Sequence, residues 1–72
     1  MSQQYTALIQ QDGDWWYGWV EEIPGVNAQE RTEQDLLASL RDTLIEAIEM
    51  NREDARKAAQ AGSGYREISI AA

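Results

Sequence analysis

The sequence predicts an α+β fold: a three-stranded antiparallel meander, then an amphipathic helix, then a fourth strand, with one helical layer on one sheet face. Three observations carry this reading. YTALIQ (residues 5–10) and WWYGWVEE (residues 15–22), rich in aromatic and β-branched residues, flank an Asp-Gly turn. A stretch that begins after Thr32 repeats its apolar residues at helical spacing. A closing run, YREISI (residues 65–70), places Ile68 and Ile70 on one side of an extended chain.

Each element has a local cause. Asp12-Gly13 is read as a two-residue type I′ turn, which needs positive φ at both central positions. That turn pairs Gln11 with Asp14 and sets Ile9 opposite Trp16, Ala7 opposite Gly18 and Tyr5 opposite Val20. One face then carries Tyr5, Ala7, Ile9, Trp16, Gly18 and Val20, and its small centre would let a helix approach closely. The other carries Thr6, Leu8, Gln10, Trp15, Tyr17 and Trp19. Pro24-Gly25 suits the centre of a type II turn, and VNAQER (residues 26–31) reads as a short, polar edge strand.

Thr32 is the expected helix N-cap, with Asp35 completing an imperfect capping box and Glu33 near the positive end of the helix dipole. Leu36, Leu37, Leu40, Leu44, Ala47 and Ile48 fall within a sector of about 120°, and Ile45 lies outside it. Asn51 interrupts the sector. Either Asn51 and Asp54 cap a second short helix, REDARKAAQ, or one kinked helix continues to about Gln60; the sequence leaves both open. GSG (residues 62–64) ends the helical stretch ahead of the closing strand.

With 72 residues, residues 1–72 form one domain with a marginal core. Cysteine is absent, so no disulfide can staple it, and the usual remaining route to stability is association. A homo-oligomer, dimer or tetramer, is therefore expected. The net charge of −7 disfavours direct binding to nucleic acid and would steer a basic protein partner. No apolar run approaches the length of a membrane span, and the N-terminus does not read as a signal peptide, so the expected location is cytoplasmic.

The chain offers little to catalysis. It has no histidine and no cysteine, which removes the commonest acid-base group, the strongest common nucleophile and the usual zinc sites. No phosphate-cradling glycine pattern is present. Asp12 and Asp14 flank a turn glycine without the rest of a calcium loop. Glu21 and Glu22 point to opposite faces if the strand continues. Glu46, Glu49 and Glu53 read as a solvated helix side. Neither enzyme activity nor a cofactor or metal is expected, and a vestigial nuclease would need a strand-borne carboxylate cluster. The aromatic strand could stack bases, but the first two strands carry no basic residue. Tryptophan and tyrosine are enriched at the energetic centres of protein interfaces. Leu8, Trp15, Tyr17 and Trp19, with Glu21 at the acidic rim, are the candidate residues for binding a partner or a second subunit.

The run VEEIPGVNAQERTEQDLLASLRDTLIEAI (residues 20–48) resembles the HicB family of antitoxins. The family pattern is a hairpin, roughly V-P-E-L-P-G-C, a short strand, T-Q-G-x-T, and a helix of the kind E-E-A-L-x-N-L-x-E-A-I. Val20, Glu22, Ile23, Pro24, Gly25, Gln29, Thr32, Asp35, Leu37, Leu40, Asp42 and Leu44 match it. Glu21 stands for the first proline, Val26 for the cysteine, Glu30 for the glycine, Leu36 for alanine and Ser39 for asparagine. The resemblance covers residues 5–49 and implies a partial, degenerate RNase H-like layer in a prokaryotic toxin–antitoxin system. It also implies a HicA-type partner, a small basic toxin that cleaves mRNA and is neutralised when its surface is covered. The likeness is to a short form without the C-terminal DNA-binding module of many members. The alternative function is a stand-alone homo-oligomer with no toxin partner, whose aromatic face is its own subunit contact.

Overall fold

The computed structural model describes residues 4–62 and 64–71. Among them, three strands, β1 (Ala7–Asp12), β2 (Trp15–Val20) and β3 (Asn27–Glu30), are followed by one helix, α1 (Glu33–Gln60). The strands form an antiparallel sheet in the order β1-β2-β3. The α+β meander with one helical layer is thus present.

The first turn is shifted from its expected position. Gly13 and Asp14 are the loop residues, and Asp12 pairs with Trp15. Gly13 has φ of 60°, and among the described residues no non-glycine residue has positive φ. Glycine at the first central position alone is the type II′ pattern, not the type I′ expected from Asp-Gly. Ile9 therefore pairs with Gly18 and Ala7 with Val20. The ladder has moved by two residues, an even number, so every side chain keeps its expected face. Gly25 behaves as expected: its φ is 88°, and the Val26 N–H donates to the Ile23 carbonyl at 3.5 Å to close the type II turn.

Thr32 caps α1. Its backbone is extended, and its Oγ1 accepts a bond from the Asp35 N–H at 3.0 Å. From there the helix runs 28 residues, on through Asn51, so the residues expected as a second helix belong to α1. The propensity cost of one asparagine is under about 1 kcal/mol, and the Ala-rich residues beyond it favour continuation. Glu49 and Arg52, one turn apart at 3.5 Å, add a weak surface pair across the interruption.

Helix α1 packs on β2 and β3. Leu36 and Leu40 meet Val20 and Val26 in a buried cluster, with Tyr5, Ile9, Trp16, Ile23, Ala28, Leu44 and Ala47 around it. The Ser39 hydroxyl donates to Glu30 Oε2 at 2.7 Å and ties the helix to β3. Ile45 is exposed, as its position on the wheel requires. Leu37, in the expected apolar sector, is 45% exposed because the helix lies toward β3 and leaves that side overhanging β1.

The expected fourth strand is not formed. Tyr65 to Ile70 join no ladder among the described residues, and Ile68 and Ile70 are 69% and 89% exposed. The cause is the helix length. At about 1.5 Å per residue an unbroken helix of this size spans roughly 42 Å, whereas strands of this length span about 20 Å or less. The chain therefore leaves α1 well beyond the sheet, where Arg56 Nε donates to Glu67 Oε1 at 3.1 Å. Residue 63, in the middle of the expected GSG stop, lies outside the described residues; the Ala61 N–H closes the helix on the Lys57 carbonyl at 3.2 Å.

The small centre of the sheet has a different role from the expected one. A Cβ on Gly18 would lie 2.5 Å from the Leu8 carbonyl oxygen and 3.0 Å from Ile9 Cγ2, so glycine serves the β1–β2 approach rather than a helix contact. Because the nearest obstacle is backbone, it cannot rotate away. Gly18→Ala is expected to cost about 1–3 kcal/mol, as overpacking does. Each kcal/mol lowers Tm by about 4–8 °C in a domain of this size. Thermal unfolding followed by circular dichroism checks this, and an unchanged Tm would contradict the close approach.

Candidate functional site

The pleat of β2 divides the aromatic run. Trp16, Gly18 and Val20 face α1, and Trp15, Tyr17 and Trp19 face away from it. On the far side Leu8 pairs with Trp19, Gln10 with Tyr17 and Asp12 with Trp15. From β3, Asn27 pairs with Trp19 and Gln29 with Tyr17. Among the described residues no second layer lies over this face. Leu8, Trp15 and Trp19 are 40%, 38% and 40% exposed, and Tyr17 is half-buried. Four of the five expected binding residues thus form one contiguous surface.

Glu21, the fifth, sits at the end of that surface. Its backbone N–H donates to the Thr6 carbonyl at 2.8 Å, which continues the hairpin register one step past β2. Glu22 then departs from strand geometry: β2 ends at Val20, and the Glu22 carboxylate, rather than a backbone carbonyl, accepts the Thr6 N–H at 2.8 Å. The two glutamates therefore do different work. Glu21 edges the open face, while Glu22 completes the hairpin with its side chain.

Arg31 was not anticipated on this face. Its guanidinium carbon lies 4.0 Å from the centroid of the Trp15 ring, a cation–π contact worth about 0.5–1 kcal/mol at an exposed site. Trp16 pairs with Glu30, so the next residues along, Trp15 and Arg31, fall side by side. The alternation of Asn27, Gln29 and Arg31 along the third strand carried the signal; what it lacked was the β2–β3 register. The face is thus aromatic and amide-lined, with acids at Asp12 and Glu21 and a cation stacked on Trp15.

The other acidic groups are dispersed. Asp12 and Asp14 flank the turn glycine, and Glu46, Glu49 and Glu53 are exposed along α1, with Glu49 beside Arg52. Among the described residues no group of three or more acidic side chains is placed to hold a metal ion, and no helix is long and apolar enough to cross a membrane.

The class defined by this geometry is a small α+β layer, one sheet face packed under a helix and the other covered by none of the described residues. No family model, curated protein or solved structure matches the chain.

The bond from the Thr6 N–H, the largest influence on Glu22, holds its carboxyl below the ordinary value of about 4.5. A depressed carboxyl pKa gives stability that is complete above the unfolded value and is lost as pH falls through the folded one. Glu22→Gln removes the titration but keeps an acceptor. Its stability is expected to fall less than that of the unaltered protein between about pH 6 and pH 3. Urea unfolding at several pH values measures this; parallel pH profiles would show that the Thr6 contact is not charge-assisted.

Proposed function

We propose that this protein is an antitoxin-like binding module that uses its open aromatic face to cover a basic protein partner. The carrying observation is the gathering of Leu8, Trp15, Tyr17 and Trp19 on a sheet face that no described element covers. Large aromatic surface left open on a small domain has the composition of an interface centre rather than of an ordinary solvated face. The acidic rim and the net charge of −7 favour a basic partner and speed its approach at low salt. The same charge opposes base stacking on nucleic acid.

The HicB-like residues supply the partner class: a small, basic, HicA-type toxin that cleaves mRNA. Neutralisation then needs no chemistry from this chain. Occlusion of the toxin surface by Trp15, Tyr17 and Trp19 is sufficient, with Glu21 opposing basic groups at the margin. The likeness to the family lies mainly in residues 20–48, which build the IPG turn, the Thr32 cap and the helix. The proposed binding residues lie mostly in the preceding hairpin.

The test is to seek a small basic protein encoded in a neighbouring reading frame and to titrate this chain against it; finding none would leave the proposed partner without support. Trp19→Ala is expected to weaken binding by about 2 kcal/mol or more, roughly 30-fold. Added salt should weaken the complex of the unaltered chain further. Since Trp19 is already exposed, the variant should fold, which circular dichroism verifies. Equal affinity of variant and parent would remove the aromatic face from the proposed mechanism.

A further inference from the structure

On the side of the sheet away from the aromatic face, a groove of about 440 Å³ runs between β1 and the overhanging side of α1. Tyr5 and Ala7 line it from the sheet, and Leu37, Arg41 and Leu44 from the helix. It flanks the outer edge of β1, which pairs with no strand among the described residues. That edge, ALIQQD, has neither lysine nor proline, and its one charge, Asp12, lies at the turn end, away from Ala7 and the groove. Residues 65–70, which join no ladder among the described residues, carry two further apolar side chains. Ile68 and Ile70, exposed and two residues apart, project to the same side of this segment when it is extended.

We infer that this groove and the β1 edge receive the C-terminal segment, residues 65–70, of a second copy of the chain, in a reciprocal exchange that closes a dimer. Added beside β1 as a strand, the segment would extend the sheet beneath the overhanging helix. Ile68 and Ile70 would then enter the groove beside Tyr5 and Ala7 and cover Leu37. One docking event thus satisfies an open strand edge, an exposed leucine on the helix and two exposed isoleucines on the tail.

The occupant comes from another copy because the chain's own tail is held out of reach. Glu67 is tied to Arg56, and Tyr65 and Ile68 lie against the far end of α1 beside Arg52, Ala55 and Ala59. Arg56 is 12 residues along the helix from Leu44, the nearest helix residue of the groove, a distance of about 18 Å. Even released from Arg56, a chain extended from Ala61, where the helix ends, reaches about 23 Å at Ile68, short of the roughly 36 Å back along α1 to Leu37. A two-fold pair meets no such limit, since each long helix carries its tail outward and the two contacts are equivalent. The surface is distinct from the aromatic face and stands independently of the partner proposed above.

Light scattering coupled to size exclusion tests the exchange at about 100 µM protein. The expected mass is about 16 kDa, twice the 8.2 kDa chain. Ile68→Asp with Ile70→Asp should give the monomer, as should Leu37→Asp, and each should weaken self-association at least about tenfold. These side chains are exposed in the protomer, so the helical circular dichroism should persist. Trp19→Ser should remain dimeric. Mixing the tail variant with the groove variant should restore association, because one intact tail then meets one intact groove. A monomeric parent chain, a dimer that survives the tail substitutions, or no recovery on mixing would overturn the exchange.

Discussion

One helix can cover only one face of a sheet, and this structure follows from that constraint. Among the described residues, the buried hydrophobic side chains are those of Leu36 and Leu40 where they meet Val20 and Val26. Truncating a buried leucine typically costs about 2–5 kcal/mol, a large share of the stability available to a small domain. Every other apolar group must settle at the margin of this cluster or stay at the surface. Trp16 and Ile9 take the margin, while Trp15, Trp19 and Leu8 are left on the far side.

The same constraint accounts for the polar features around the core. The hairpin is completed at its open end by a carboxylate, Glu22, because the chain turns away after Val20. Arg31 lies over Trp15 and shields part of a ring that no apolar layer covers. Gly18 allows β1 and β2 to approach beneath the core cluster. These contacts position a thin layer whose two sides have different fates: one packed and incompletely filled beside β1, the other aromatic and open.

Much of this was legible in the sequence because local chemistry and global pattern agree there. Thr32 caps as its residue type and spacing indicate, and Gly25 adopts the left-handed conformation that a type II turn requires. The two faces of β2 could be assigned even though the turn was displaced, since a shift of two residues preserves the pleat. The failures arise where tertiary geometry decides. Asn51 looked like a boundary, yet one weak helix former does not stop a long Ala-rich helix. The alternation of Ile68 and Ile70 is real, but alternation cannot say whether a strand has an edge within reach. Arg31 was missed because its neighbour is fixed by the β2–β3 register, not by its own surroundings in the sequence.

The central claim is that adjacent tryptophans on one strand occupy opposite environments. The most direct measurement is the nuclear Overhauser contacts of the three indole rings in solution. The Trp16 ring should contact methyl groups of the cluster formed by Val20, Val26, Leu36 and Leu40, and Trp15 and Trp19 should show no contact with the helix leucines. Contacts from Trp15 or Trp19 to Leu36 or Leu40, with Trp16 left in solvent, would mean that the sheet presents its other face to the helix and would contradict the account.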